Sequence, residues 1–216
     1  MNKSLIKSPV LSDSELYEGL IKTFSNAELL KKEADLLSKE KYYCRSYTLY
    51  QLALEELGKC KILSFYLIEY YNSNYVTPKI LQENSGFKDH RKKTRIMYMT
   101  VLSVMDWYIK DTGNVPPDYN STQSDFQNDR QSDEKKNQSL YVCFNNNKFI
   151  SPSESITEQD CLKMQYKVKV YIQLIKVSLI EPKEYYPLLA KALKKAKEKY
   201  GKSEEVRPVN PNIAKL

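Results

Sequence analysis

The chain has 216 residues, with 34 Lys and Arg against 27 Asp and Glu, a formal net charge of +7 and five glycines. This length suffices for one domain with a substantial core, and the scarcity of glycine disfavours an all-β fold with many tight turns. No stretch approaches the roughly 20 apolar residues of a membrane span, and the first ten residues lack the apolar segment of a signal peptide. We therefore expect a soluble, cytoplasmic, mainly helical protein without membrane contact.

The excess of basic residues favours contact with nucleic acid or another acidic partner. Much of it lies between residues 191 and 202, where the solvated face of a terminal helix explains it equally well. The cysteines show no Cys-x-x-Cys spacing, and a reducing compartment disfavours disulfides. We interpret all four as packing residues: Cys44, Cys60, Cys143 and Cys161.

Two long helices are predicted in the first third of the chain. Ser12 and Glu15 have the spacing of a capping box, and apolar residues recur at helical intervals from Ser14 to about Lys39. A second run, from about Lys41 to Tyr71, is nearly free of helix breakers and ends before Pro78. We expect these two helices to form an antiparallel hairpin.

The middle of the chain is predicted to change character twice. Helical spacing indicates a third helix from Lys88 to Lys110, whereas residues 111–138 are mainly polar and predict a mobile loop or, in part, a short surface helix. Next, the segments SLYVCF and KFI flank three asparagines, which tolerate the positive φ angles of a tight turn. This pattern predicts a β-hairpin within residues 139–151.

The last third of the chain predicts two more helices. Thr157 and Asp160 have the spacing of another helix cap, which would begin a helix from about Glu158 to Ile180. A proline suits the first turn of a helix, so a last helix is expected from Pro182 to about Tyr200.

These elements predict a single all-α domain over residues 1–200, which includes the mobile loop 111–138 and the hairpin 139–151. Residues 201–216 are expected to be a disordered tail. A two-stranded ribbon is only marginally stable alone. Tyr141, Cys143 and Phe149 alternate with polar neighbours, as expected when one face of a strand pair is covered. The hairpin is therefore expected to pack on the bundle or on a partner protein.

Charged side chains fall on the predicted buried stripe of the second helix. At 100° per residue from Leu49, Glu56 lies about 20° and Arg45 about 40° from the centre of the stripe. Lys59 lies at its edge, whereas Glu55 points elsewhere. Burying an unpaired charge is costly, so these groups either form a structural pair or line a cavity that water or substrate enters.

The only histidine in the chain, His90, lies near the start of the third helix. Lys93 follows one turn later on the same side, in line with the apolar stripe of that helix. Histidine is the side chain best suited to exchange a proton at neutral pH, and Arg91 and Lys92 add positive charge suited to a phosphate. The alternative is a capping or surface histidine in a basic first turn.

Three segments occur in order along the chain: LALEELGKCKIL at 52–63, DHRKK at 89–93 and SLYVCFNNNKFISPSESIT at 139–157. Together they resemble the AbiV family of bacterial abortive-infection proteins, which belongs to the HEPN-like superfamily. The resemblance implies an all-α HEPN-like helical bundle with a small β-hairpin insertion. It also implies frequent homodimers and a role in halting phage production, by damaging RNA or blocking translation.

The resemblance assigns its two motifs to positions of this chain, which are Glu55, Glu56, Gly58 and Lys59 for the first and His90 and Lys93 for the second. Three of these also lie on inward stripes and are the predicted catalytic residues: Glu56, His90 and Lys93. In RNA cleavage without a metal, the histidine would move the 2′-hydroxyl proton, a cation would stabilise the phosphorane, and the glutamate would orient one of them. The predicted RNA- or phosphate-binding residues are Arg45, Lys59, Arg91 and Lys92.

The chain departs from active HEPN ribonucleases at one point. Those enzymes usually carry an arginine a few residues before the histidine, and the corresponding positions here are Glu83, Asn84 and Ser85. Arg91 and Arg45 are the alternative sources of that cation. Two hypotheses stay open: an effector that blocks translation in infected bacteria by cleaving RNA, and a noncatalytic module that captures a phage protein or the translation machinery.

The expected partners follow from the same resemblance. They are a second copy of the chain, RNA or the translation machinery, and a phage-encoded protein for which the hairpin is a plausible docking element. No cluster of metal-ligand residues and no cofactor motif is recognisable in the sequence, so neither a metal nor a cofactor is expected.

Overall fold

A computed structural model describes residues 9–84, 86–181 and 184–200. Within these ranges the chain is mostly helical, and its one sheet has two strands. The predicted all-α class with a small hairpin insertion is confirmed. In the described part of the chain, no helix has the length and apolar content needed to cross a membrane. The tail at 201–216, predicted to be disordered, lies outside the described residues.

The first two helices form the predicted antiparallel hairpin. Helix α1 spans Asp13–Lys39 and begins with the predicted capping box, and helix α2 spans Tyr43–Ser73. The hydroxyl of Tyr71, near the end of α2, donates to the carboxylate of Asp13 at the start of α1 over 3.0 Å. Near the loop, the Ser46 hydroxyl donates to the Ala34 carbonyl over 2.7 Å, so the two helices run in opposite directions.

Six further helices follow in the described chain: α3 (His90–Thr112), α4 (Tyr119–Gln127), α5 (Asp129–Gln138), α6 (Pro152–Ser155), α7 (Glu158–Ile175) and α8 (Tyr185–Tyr200). Of these, α3, α7 and α8 correspond to predicted helices. Two π-helical turns accompany them: Ile80–Asn84 precedes α3, and Lys176–Ile180 continues α7. A capping box at Thr157 and Asp160 begins α7, as predicted.

Helix α2 occupies the centre of the bundle. It packs against α1, α3, α7 and α8, and it also touches α5. Its buried apolar side chains therefore point in several directions and include Tyr47, Tyr50, Ala53, Leu54, Leu57, Cys60, Leu63 and Leu67. A helix enclosed on several sides has no single buried stripe.

Cys60 and Cys161 are fully buried, as expected of packing residues, while Cys44 and Cys143 are half-buried.

Residues 111–138 contain two helices, so the prediction of a loop is wrong for most of this segment. Few apolar residues mark helices α4 and α5: Phe126 of α4 packs against the core, and ion pairs join both helices to α7. Asp125 of α4 pairs with Lys167 of α7, and Lys135 of α5 pairs with Asp160 at 2.6 Å. Ion pairs leave no apolar periodicity in the sequence, which is why the pattern indicated a loop.

The predicted hairpin is confirmed. Strand β1 (Cys143–Asn145) pairs antiparallel with strand β2 (Lys148–Ile150). The two residues of the turn, Asn146 and Asn147, have φ angles of 49° and 61°. These left-handed conformations are those that a two-residue turn between twisted strands requires, and asparagine adopts them at low cost.

The aromatic side chains of the hairpin are not covered by the described residues of the chain. Phe144 and Phe149 lie opposite each other on the two strands, with ring centroids 5.0 Å apart, and are 62% and 75% exposed. Tyr141, just before β1, is exposed as well. Packing of these side chains on the bundle, one of the two expected arrangements, is therefore wrong. The two phenylalanine rings contact each other instead.

Candidate functional site at Glu55 and His90

The site lies where helices α2 and α3 approach each other closely. A Cβ atom added to Gly58 of α2 would lie 2.1 Å from the carbonyl oxygen of Lys93 on α3. Such a contact is impossible for any residue with a side chain unless the helices move apart. The glycine of the EELGK segment thus allows the first turn of α3 to lie against the middle of α2.

The start of α3 is fixed by its N-cap. Asp89 caps the helix, and its carboxylate accepts a hydrogen bond from the backbone N–H of Lys92 over 3.1 Å. The backbone N–H of Asp89 in turn donates to the carbonyl of Gly86 over 3.0 Å. His90 is therefore the first residue of a well-defined helix, and Lys93 follows one turn later, both toward α2.

The carboxylate of Glu55 is the centre of the site and is only 3% exposed. Its Oε2 atom lies 2.5 Å from Nδ1 of His90 and 3.2 Å from Nζ of Lys93. Its Oε1 atom accepts a hydrogen bond from Nζ of Lys136 over 2.8 Å. Three helices, α2, α3 and α5, therefore contribute to one charged cluster.

Two buried lysines balance the charge of Glu55. Lys93 and Lys136 are 5% and 9% exposed, so neither is solvated by bulk water. Burial opposes the charge on Lys136, but hydrogen bonds to Asp133 and Glu55 outweigh this effect and raise the pKa of Lys136. Such a cluster is stable only while its partners remain together, since an uncompensated buried charge is costly.

His90 differs from the lysines because its side chain is 58% exposed. In the neutral imidazole, donation from Nδ1 to the Glu55 carboxylate leaves Nε2, on the opposite edge of the ring, as a proton acceptor. An imidazole oriented by a buried carboxylate is suited to general acid–base catalysis.

Glu56 does not join this cluster. Its carboxylate pairs with Lys59, one turn later on α2, at 2.6 Å. The carboxylate that contacts His90 belongs to Glu55, so a pocket shared by Glu56 and His90 stays a prediction. Glu55, which was expected to point away from the buried stripe, lies buried on another face of α2. The helical wheel was centred on Leu49, which is only half-buried, and α2 is enclosed by several helices, so the wheel selected one of several buried faces.

The predicted phosphate-binding residues are spread along two helices. Arg91 is exposed and Lys92 half-buried, and both lie beside His90 in the first turn of α3. Arg45 is exposed, and its Nη1 donates to the carbonyl of Leu140 over 3.1 Å, so its expected place on the buried stripe is wrong. Ten residues of helix place Arg45 about 15 Å from Glu55 along the axis of α2.

Sequence reasoning missed Lys136 and Asp133. Both lie in the segment predicted to be a loop, where no apolar spacing marks an inward position. Glu55 did carry a signal, since it matches the first motif of the family resemblance.

Among the residues that the structure describes, no three His, Cys, Asp or Glu side chains gather as metal ligands. The groups around Glu55 are a potential proton-transfer group and fixed cations.

A comparison with known protein families gave a match that includes this site. The family model HEPN_AbiV, described as AbiV, matches residues 15–171, from α1 to near the end of α7. Neither the curated proteins nor the solved structures gave a match. The matched region includes Glu55, His90 and Lys136, so the whole cluster lies within it. The chain belongs to the AbiV family of HEPN-like proteins, which gives it a role in abortive-infection defence.

Proposed function

We propose that this protein halts phage production by blocking translation in infected bacteria, through metal-independent cleavage of RNA at His90. The observation that carries the proposal is the hydrogen bond of 2.5 Å between the exposed imidazole and the buried carboxylate of Glu55. A histidine that only begins a helix needs no such partner. Burying a carboxylate costs free energy, and this one needs two lysines to balance it, which favours a chemical role.

The proposed reaction is an internal transfer at a phosphodiester. Nε2 of His90 accepts the proton of an RNA 2′-hydroxyl, and the 2′-oxygen attacks the adjacent phosphorus. The bond from phosphorus to the 5′-oxygen breaks, and the leaving oxygen takes a proton from water. The products are a 2′,3′-cyclic phosphate and a 5′-hydroxyl, and His90 returns its proton to solvent. Glu55 holds the ring and stabilises its charged form.

The cations around His90 divide into two groups in this proposal. Arg91 and Lys92 lie beside His90 at the N-terminus of α3, where exposed charge and the helix dipole both favour a phosphate. Lys93 is buried against Glu55, so we assign it to holding that carboxylate, and the orienting role predicted for Glu56 passes to Glu55. Lys59 and Arg45 stay as proposed contacts for more distant phosphates.

The experiment compares RNA integrity and protein synthesis after induction of wild type and of His90→Ala, with and without phage. We expect wild type to reduce both in infected cells and His90→Ala to reduce neither. Cleaved RNA should carry 2′,3′-cyclic phosphate ends. Lys22→Ala, which removes an exposed lysine paired with Glu18, is the control and should behave as wild type. An unchanged translation block in His90→Ala would reject the proposed chemistry.

A second candidate function is a noncatalytic module that captures a phage protein or the translation machinery. Two observations favour it: Glu83, Asn84 and Ser85 stand where an active HEPN ribonuclease has its arginine, and the hairpin exposes Phe144 and Phe149. In this case Phe144→Ser combined with Phe149→Ser would abolish the phage response, and His90→Ala would leave it intact. The opposite result supports cleavage.

We also propose that the chain forms a homodimer. Helix α7 exposes three apolar residues at intervals of four, Leu162, Tyr166 and Val170, which lie on one side of the helix. Such a stripe suits the same stripe of a second copy. Light scattering at micromolar concentration should give twice the mass of the chain, and Tyr166→Glu should give the monomer. A wild-type protein that is monomeric under these conditions rejects the dimer.

A further inference from the structure

Helix α5 attaches to the bundle in an unusual way. Its sequence, DRQSDEKKNQ, has no apolar residue, so it lacks the hydrophobic face that normally holds a helix against a core. Among its described side chains, the one that is buried is Lys136. That side chain extends to Oε1 of Glu55. The buried side chain of this helix therefore contacts the carboxylate that binds His90.

We propose that Lys136 is a positioning residue that fixes the Glu55 carboxylate so that its Oε2 atom faces His90. The two oxygens of Glu55 have separate partners: Lys136 holds Oε1, while His90 and Lys93 share Oε2. The effect of Lys136 on catalysis rests on the proposed function, whereas its effect on the position of Glu55 does not. It adds a residue and a helix that the two sequence motifs do not contain.

Removal of Lys136 would leave Oε1 buried without a partner, which is costly. Lys93 is the nearest remaining cation, and it can bridge both oxygens only if the carboxylate rotates. Rotation takes Oε2 away from Nδ1 of His90. The hydrogen bond to His90 thus depends on a lysine that comes from another helix.

Asp133 supports Lys136 from the other side. Its Oδ1 atom lies 2.9 Å from Nζ of Lys136, one turn earlier on α5. Acidic and basic groups therefore alternate from Asp133 through Lys136 and Glu55 to His90. The position of α5 and the orientation of the imidazole are coupled through this series of contacts.

The neighbouring residue provides a matched control for a merely structural role. Lys135 also ties α5 to the bundle, through an ion pair with Asp160 at 2.6 Å, but that partner begins α7 and is not part of the Glu55 cluster. Lys135→Met and Lys136→Met each remove one anchor of α5. Only Lys136→Met removes a partner of Glu55.

The experiment uses nuclear magnetic resonance of the full chain without RNA. Since His90 is the only histidine, its ¹⁵N-labelled ring gives a single set of signals. In wild type we expect a far-downfield, slowly exchanging Nδ1 proton, because this proton is shared with Glu55. The signal should persist in Lys135→Met and be lost in Lys136→Met, as in the reference variant Glu55→Gln. A folded Lys136→Met protein that keeps the signal at its wild-type position overturns the inference.

A second measurement applies if Lys136→Met does not fold. Coupling between two groups is reciprocal, so His90→Gln, a change at an exposed position, should shift the ammonium ¹H–¹⁵N signal of Lys136. An unshifted ammonium signal contradicts the inference. Neither measurement uses RNA, so the positioning role can be tested separately from the proposed function. If the His90 signal depends on Lys136 but the protein leaves RNA intact, cleavage is rejected and the positioning role is retained. If cleavage holds, Lys136→Met should lower kcat about tenfold or more with little change in KM.

Discussion

Two of the carboxylates in this bundle, those of Asp35 and Glu55, each join three helices, and their partners differ in kind. Asp35 of α1 accepts hydrogen bonds from the Tyr50 hydroxyl at 2.6 Å and from the Gln165 amide at 3.0 Å, and it pairs with Lys31 at 2.6 Å. It therefore joins α1, α2 and α7. Glu55 joins α2, α3 and α5, but its partners are two buried lysines and one exposed histidine.

The partners decide what each carboxylate can do. Burial and the adjacent carboxylate of Asp35 raise the pKa of Tyr50, so this hydroxyl stays protonated and acts only as a donor. The amide of Gln165 does not titrate. Histidine, in contrast, is the usual proton-transfer side chain in catalysis, and the imidazole of His90 is open to solvent. The same device, a carboxylate between three helices, is structural at Asp35 and chemically equipped at Glu55.

The largest difference is expected from neutralising Glu55. Glu55→Gln leaves the two lysines buried without a full counter-charge, and breaking a buried ion pair in this way costs about 3–5 kcal/mol. Urea unfolding should therefore show a large decrease in the free energy of unfolding for Glu55→Gln. The matched control is Glu56→Gln, whose half-buried pair with Lys59 on the same helix should cost about 1 kcal/mol or less. Equal losses for the two variants would remove the distinction that we draw between them.

Gly58 tests whether close packing of α2 and α3 assembles the site. In Gly58→Ala the added Cβ would overlap the backbone of Lys93. We therefore expect the free energy of unfolding to fall by about 1–3 kcal/mol and the Nδ1 proton signal of His90 to disappear. Gly19→Ala is the control, since its Cβ meets Leu63 at an ordinary 3.8 Å. Alanine within a helix should there stabilise the protein by up to about 1 kcal/mol. A stabilised Gly58→Ala protein would contradict the packing described here.

The pH dependence of stability should come partly from Asp35. Burial by itself would raise the pKa of Asp35, but hydrogen bonds from Lys31, Tyr50 and Gln165 outweigh burial and lower it. A lowered pKa in the folded state contributes stability that is present above the unfolded-state pKa of about 4 and is lost as the pH falls through the folded-state pKa. Urea unfolding at pH 5 and pH 3 should thus show a smaller loss for Asp35→Asn than for wild type. If the free energy of unfolding falls as steeply between pH 5 and pH 3 in Asp35→Asn as in wild type, the effect belongs to other carboxylates.

The smallest effect on stability is expected at the hairpin. Phe144→Ser and Phe149→Ser change exposed side chains, so each should alter the free energy of unfolding by about 0.5 kcal/mol or less. Deletion of residues 139–151 is a poorer test, because it would also remove the buried Ser139, whose hydroxyl lies 2.5 Å from that of Thr48. A large loss in thermal stability on substitution of either phenylalanine would show that the rings are covered in solution.

Local sequence signals predicted most of the fold. The capping boxes at Ser12 and Thr157 and the asparagine turn act over a few residues, and each was found at its predicted place. The helices α4 and α5 were missed because few apolar residues mark them and ion pairs help to attach both to the bundle. Such pairs join residues far apart in the chain, as with Lys135 and Asp160, and no periodicity records them.

The site was predicted in part. His90 and Lys93 were identified from their position on α3, and the structure brings both to one carboxylate. The helical wheel did not select Glu55, the residue that contacts His90, because one wheel cannot represent a helix packed on several sides. Lys136 lies 81 positions from Glu55 along the chain. Only the three-dimensional arrangement of α2 and α5 reveals that pair.

The central claim, that Glu55 serves chemistry and Asp35 serves structure, is tested most directly by plaque counts for two matched variants. His90→Gln and Tyr50→Phe each remove one hydrogen bond, of 2.5 Å and 2.6 Å, from one of these carboxylates. We expect Tyr50→Phe to lose about 1 kcal/mol of stability and to keep phage resistance, and His90→Gln to keep stability and lose resistance. Full phage resistance in a stable His90→Gln protein would contradict the account.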